Sequence, residues 1–222
     1  MGQALSPANR LSRTVQTEPT TRDTTFERGR GFSLAGFLST NCKGGVLMRV
    51  IAGDLRSRRI AGIPGDSTRP TSDRLRETLF DIVSPRIRGA TFLDAYAGTG
   101  AVGIEALSRG AAHAWFLERS RAALQVLRQN LASLDLEARS SVVAGPALLS
   151  IARFSAAIVF LDPPYTLERE LLAALDLLGS TPPPLVIAQH SIHLAVPEAF
   201  GALRRTRVVK QADNALSFFG GG

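Results

Sequence analysis

Apolar residues in this chain fall in short continuous runs that alternate with longer stretches of helical spacing, the pattern of an α/β fold. Thr91-Phe92-Leu93, Ala114-Trp115-Phe116-Leu117, Ser141-Val142-Val143-Ala144, Ala157-Ile158-Val159-Phe160-Leu161 and Leu185-Val186-Ile187-Ala188 read as strands, Ala157 to Leu161 and Leu185 to Ala188 as buried ones. Between them lie helical stripes: Val102, Ile104, Ala106 and Leu107; then Leu124, Leu127, Leu131 and Leu134 behind Ser120 as N-cap; then residues 167–178, ended by 179–184. Pro146 suits the first turn of a short helix through Leu148, Leu149 and Ile151. Leu75, Leu79 and Ile82/Val83 mark a further helix, whose arginines are left to its other faces. Arg207-Val208-Val209 and Ala215-Leu216-Ser217-Phe218-Phe219 predict a terminal hairpin around Asp213-Asn214. Residues 1–47 have no sustained apolar period and are expected to be a disordered tail, or to precede the true start at Met48. A transit peptide and an N-myristoylation pattern at Met1-Gly2 are looser readings of the same tail. Residues 48–222 are expected to form one domain.

Chemistry concentrates where two of the strands end. Asp162-Pro163-Pro164-Tyr165 closes the run Ala157 to Leu161. Two prolines stiffen the segment and remove its amide donors. It therefore offers a carboxylate, fixed carbonyls and a flat ring, which suit a planar base carrying an amino group, although Pro-Pro after a strand also serves as a plain turn. If Asp162 and the Pro163 carbonyl accept the two hydrogens of an exocyclic amine, electron density returns to nitrogen and its lone pair is aimed. Tyr165 can stack on the base. Upstream, Asp94-Ala95-Tyr96-Ala97-Gly98-Thr99-Gly100 joins a strand to a helix, and its glycines let backbone approach a ligand closely. Tyr96 can lean on that ligand or pack the loop. Glu118 ends the next strand, about 20 residues beyond the glycines, where a carboxylate can accept ribose hydroxyls. This spacing points to an adenosine-containing cofactor, either a dinucleotide or S-adenosylmethionine. An amine clamp serves only the second.

These residues carry a family resemblance. Asp94 to Gly100 with Asp162 to Tyr165 resemble the motifs of class I S-adenosylmethionine-dependent amino-methyltransferases. Arg69-Pro70-Thr71-Ser72-Asp73-Arg74-Leu75-Arg76-Glu77-Thr78-Leu79-Phe80, the run Gly103 to Arg109 and the opening Met48 to Gly53 are similar to the RsmD family, which methylates a guanine amine in bacterial 16S ribosomal RNA. The resemblance implies a Rossmann-like, seven-stranded sheet with helices on both faces. It also implies S-adenosylmethionine held by Asp94, Tyr96, Gly98, Gly100 and Glu118, and ribosomal RNA as substrate of a cytoplasmic monomer. DNA amine methylation and a non-catalytic RNA-binding assembly factor are the alternatives. The chain departs from the family in two places. Ala144-Gly145-Pro146 stands where relatives carry an acid or amide near adenine, and Gln211-Ala212 stands where a glycine is usual in the hairpin.

Charge adds a direction. The net charge of +7 on 222 residues is uneven: residues 1–47 carry 6 basic against 3 acidic groups, 48–89 carry 9 against 5, and 90–222 carry 11 of each. A neutral body with a basic flank fits a polyanion bound beside the site. Arg56, Arg58 and Arg59, in a strand-like stretch before Pro64-Gly65, and Arg69, Arg74 and Arg76 are the candidate phosphate contacts, an ordinary solvated basic face being the other reading. His113, His190, His193 and Cys42 show no metal-ligand spacing, so no metal is expected. No run of apolar residues is long enough to predict a membrane span.

Overall fold

In the computed structural model of the protein, residues 48–63 and 73–221 are described, and all lie in the compact unit Cys42–Gly222. Arg69 and the rest of 64–72 lie outside the described residues, as does the expected tail. The elements in chain order are β1 (Met48–Arg49), β2 (Arg59–Ile60), α1 (Asp73–Ile87), β3 (Thr91–Asp94), α2 (Ala101–Ser108), β4 (His113–Glu118), α3 (Arg121–Ser133), β5 (Ser140–Ala144), β6 (Ile158–Leu161), α4 (Glu168–Ser180), β7 (Leu185–Ser191), β8 (Ala199–Phe200), β9 (Leu203–Gln211) and β10 (Asn214–Gly221).

The main sheet has the order β5-β4-β3-β6-β7-β10-β9-β8. Strands β5, β4, β3, β6 and β7 pair in parallel, and β10, β9 and β8 add antiparallel pairs. The sheet therefore holds the seven expected strands and an eighth, β8, whose two residues are too few to show a period in sequence. Alternation divides the strands between two cores. Phe92, Phe116, Ile158, Phe160, Leu185 and Ile187 join residues of α1, α2 and α3 in one; Leu93, Leu117, Val159, Leu161, Val186 and Ala188 join α4 in the other. Ser120 accepts the Ala123 amide at 3.4 Å and caps α3 as expected. Pro146 immediately precedes a 3₁₀ turn, Ala147–Leu149, rather than opening an α-helix.

Ahead of this body, β1 and β2 pair as Met48↔Ile60 and Arg49↔Arg59. Between them the chain turns instead of extending: Gly53 has φ 83°, and a Cβ there would run into the Ser108 carbonyl. Arg56 sits in this turn, so of the three expected strand arginines only Arg59 lies in a strand. The hairpin is tied down by polar side chains of the body. Glu105, buried in α2, accepts the amides of Ile51 at 2.7 Å and Ala52 at 2.9 Å and pairs with Arg109 Nε at 2.8 Å. Ser108 Oγ donates to the Ala52 carbonyl at 2.6 Å and accepts the Leu55 amide at 3.0 Å. Asn130 of α3 joins Ala61 and the Thr99 carbonyl of the glycine loop.

Replacing Glu105 removes one acceptor from three donors, one of them a guanidinium. Glu105→Ala is expected to lower stability by roughly 3 to 5 kcal/mol in urea unfolding, with Glu105→Gln losing less. In the terminal hairpin, Ala212 takes φ 51°, a left-handed conformation that is costly for a residue with a Cβ. Ala212→Gly is expected to raise the unfolding free energy by about 1 kcal/mol, readable in the same experiment.

Candidate active site

The strand order reverses between β3 and β6: β4 and β5 extend the sheet on one side, β6 and β7 on the other. At such a switch point the loops leaving the carboxyl ends of the strands diverge and open a crevice. The glycine loop after β3 and the Asp162 segment after β6 leave from these two neighbouring strands, so the fold brings both motifs to one place.

Hydrogen bonds shape the glycine loop from both sides. Ala95 N–H donates to the Phe160 carbonyl and Ala97 N–H to the Leu117 carbonyl, each at 3.0 Å, which binds the loop to β6 and β4. Gly98 has φ 53°, and a Cβ placed on it would meet nothing within 4 Å. That open side is a cradle into which a ligand can press against backbone, as an adenosine-containing cofactor requires.

Three carboxylates stand around this loop. Asp94 is 1% exposed, and its Oδ2 accepts the Gly103 amide in the first turn of α2 at 3.0 Å. Burial pushes its ionisation up to about 7, against the Gly103 hydrogen bond, with the charges of Asp162 and Glu118 adding to the rise. Asp94 therefore supports the loop from beneath. Glu118 is partly exposed and accepts three backbone amides: Oε2 accepts Gly98 N–H at 2.8 Å, and Oε1 accepts Arg119 N–H at 2.8 Å and Ser120 N–H at 2.7 Å. A carboxylate has about four acceptor positions, so three amides leave one for a first ribose hydroxyl, and a second requires an amide to let go. Glu118 and Gly98 fit an adenosyl group. Gly145, φ 143°, follows β5 and donates to the Glu118 carbonyl at 2.9 Å, so it is backbone, not an acidic side chain, that borders this corner.

Asp162 is partly exposed, Pro163 buried and Pro164 exposed. Pro164 has φ −50° and ψ 140°, and its carbonyl accepts Leu167 N–H at 2.7 Å, which folds Tyr165–Leu167 into a 3₁₀ turn ahead of α4. The Pro164 carbonyl is thus committed to the turn. Tyr96 packs against the second core, on the α4 side of the sheet. Burial first, and the Glu170 carboxylate of α4 next, push its phenol above the ordinary value. Partial burial against this core leaves both of its expected settings, loop packing and contact with the ligand, in place.

Among the candidate phosphate contacts, Arg56, Arg58, Arg59 and Arg74 are exposed, and Arg58 Nη2 donates to the Ser133 carbonyl at 2.9 Å. Arg76 is a correction. It is 0% exposed, pointing inward from α1, with Nη2 donating to the Arg49 carbonyl at 2.6 Å and to Asp73 at 2.9 Å. Its long stem fills core space beside Leu75, and it pins β1 to α1 instead of meeting a phosphate. Glu105 and Asn130 escaped the sequence analysis as supports of the site. Their signal was a polar residue at a buried stripe position. Among the described residues, no group of three or more His, Cys, Asp and Glu is placed to hold a metal ion, and no helix is long and apolar enough to cross a membrane.

The Asp94 carboxyl has a pH signature. Its folded value near 7 lies above the ordinary 3.8, so the folded state binds the extra proton and Asp94 favours folding below about pH 4, with that contribution lost as pH rises to 7. The full span amounts to at most about 4 kcal/mol. Asp94→Asn, which stays neutral, is expected to flatten the fall in stability between pH 4 and pH 7 in denaturant titrations.

The family described as Conserved hypothetical protein 95 matches residues 48–220. The chain is 37% identical over 169 residues to "Putative rRNA methyltransferase YlbH" of Bacillus subtilis, covering 72% of this chain and 91% of that protein. It is 42% identical over 127 residues to "Ribosomal RNA small subunit methyltransferase D" of Escherichia coli, covering 56% of this chain and 64% of that protein. The solved structure "Putative methyltransferase yhhF from Escherichia coli" shares the fold with a TM-score of 0.70 at 32% identity, over 79% of this chain and 98% of that one. With the match running through the hairpin, the glycine loop, the Asp162 segment and the terminal strands, the chain belongs to the Conserved hypothetical protein 95 family, the RsmD family that its motifs resemble.

Proposed function

We propose that this protein transfers the methyl group of S-adenosylmethionine to the exocyclic amine of a guanine in small-subunit ribosomal RNA, acting as a monomer in the cytoplasm. The observation that carries the reading is the placement of Asp162-Pro163-Pro164 at the end of β6, next to the glycine loop at the end of β3. The relatives' names supply the RNA class, small-subunit ribosomal RNA in the case of the Escherichia coli protein.

S-adenosylmethionine supplies a methyl group activated on a sulfonium. The protein's share is positioning. Gly98 and Gly100 form the loop against which the ligand lies, Glu118 receives the ribose hydroxyls, and Asp94 holds the loop to α2. The Asp162 carboxylate and the Pro163 carbonyl accept the two hydrogens of the target amine, so that the lone pair on nitrogen points at the cofactor side of the crevice. The amine nitrogen then loses a proton, and Asp162 is the acceptor at hand. Tyr165 is assigned to stacking on the base, which must be turned out of the RNA to reach the site. Arg56, Arg58, Arg59 and Arg74 are assigned to phosphates, with Arg69 kept on its sequence alone; such contacts position RNA without choosing the base.

Nucleoside mass spectrometry of 16S ribosomal RNA from a strain lacking the gene is expected to show the loss of one N2-methylguanosine, restored by the wild-type gene and not by Asp162→Ala. An unchanged level of that nucleoside overturns the assignment. In vitro, Asp162→Ala is expected to lower turnover at least about 100-fold with the cofactor Kd nearly unchanged.

A further inference from the structure

Of the three buried polar side chains on the parallel strands, Asp94 and His190 have partners and Gln189 is incomplete. His190 shares hydrogen bonds with the Ser191 carbonyl at 2.8 Å and Ser217 Oγ at 2.9 Å. Gln189 is 5% exposed, and its Oε1 is buried with no hydrogen-bond partner. An unpaired acceptor inside a protein is costly and calls for a donor.

Its place in the sheet indicates where that donor comes from. The parallel pair Leu161↔Ala188 sets the next residues, Asp162 and Gln189, side by side at the carboxyl ends of β6 and β7. Phe160 and Ile187, two positions earlier on each strand, both face the core under α1, α2 and α3. By alternation Asp162 and Gln189 belong to that same face, and so does Asp94, whose carboxyl senses the charge of Asp162.

A guanine that presents its N2 amine to Asp162 presents, next along the same edge, the ring N1–H donor and then the O6 acceptor. A side-chain amide matches that order, with Oε1 for N1–H and Nε2–H for O6. Adenine carries an unprotonated N1 beside its amine, so the same oxygen would face a lone pair. We propose that Gln189 reads the base, its Oε1 accepting the N1–H of guanine while Asp162 holds the amine. This rests on the guanine assignment above and supplies the selecting group that Asp162-Pro163-Pro164-Tyr165 lacks.

The test uses the full chain, small ribosomal subunits purified from the deletion strain, and S-adenosylmethionine, with nucleoside mass spectrometry as readout and calorimetric cofactor titration beside it. Gln189→Leu is expected to lower kcat/KM for N2-methylguanosine formation about 10- to 100-fold, with the cofactor Kd held within about twofold. Gln189→Glu keeps an acceptor in place and is expected to hold kcat/KM at least about threefold above that of the leucine variant. Should the leucine variant fail to bind cofactor, Gln189→Met takes its place under the same criterion. A leucine or methionine variant with wild-type kcat/KM overturns the inference, as does an equal loss in the glutamate variant with cofactor binding intact. Absence of N2-methylguanosine with the wild-type enzyme overturns the guanine assignment itself and is thereby told apart.

Discussion

The parallel pairing of β3 with β6 is the constraint on which the site depends. Phe92, Leu93 and Asp94 lie beside Ile158, Val159 and Phe160, and each strand then runs into a loop with its own chemistry. The pairing sends β4 and β5 away to one side and β7 to the other, so the two loops part and leave a crevice between the glycine loop and the Asp162 segment. Neither motif makes a site alone. A glycine loop holds a ligand with nothing to react with, and a carboxylate with two prolines is a stiff turn.

Crowding carboxylates at one sheet edge carries an electrostatic cost, and the three are settled in different ways. Asp94 is buried against the start of α2, and burial raises its ionisation to about 7, so it gives up charge more readily than its neighbours. Glu118 spreads its charge over three backbone amides. Asp162 stays partly exposed at the crevice, where an acceptor can meet an incoming amine. Three carboxylates that all end or follow a strand thus stand in three different settings, one buried, one tied to backbone amides and one partly exposed.

Much of this was legible in the chain because apolar periods report burial directly. The runs through Phe92, Phe116 and Phe160 gave three neighbouring strands, and the residues that follow them, Asp94, Glu118 and Asp162, were found by counting forward. Polar residues in the core were less legible, because what they satisfy lies far off in sequence. Glu105 holds amides at Ile51 and Ala52, and Asn130 holds Ala61; no local pattern announces either bond. Arg76 misled for a related reason. Helical spacing separates the apolar stripe from the rest, but it cannot tell that a guanidinium beside Leu75 finds the Arg49 carbonyl and turns inward. The turn at Gly53 was hidden likewise, since its glycine answers to the approach of Ser108 and not to its neighbours in the chain.

Those hidden bonds also connect the basic flank to the cofactor loop. Glu105 and Ser108 lie on α2, the helix that begins at the end of the glycine loop and whose first turn is held by Asp94. Their bonds to Ile51, Ala52 and Leu55 fix the turn that bears Arg56. Asn130 touches the loop and the residue just past β2 at once, through Thr99 and Ala61. A phosphate docked on Arg56 or Arg59 would therefore sit on a hairpin whose anchor is the cofactor helix. Because these bonds are partly buried and short, the turn that bears Arg56 and the glycine loop are held in one register by the fold rather than joined by a hinge.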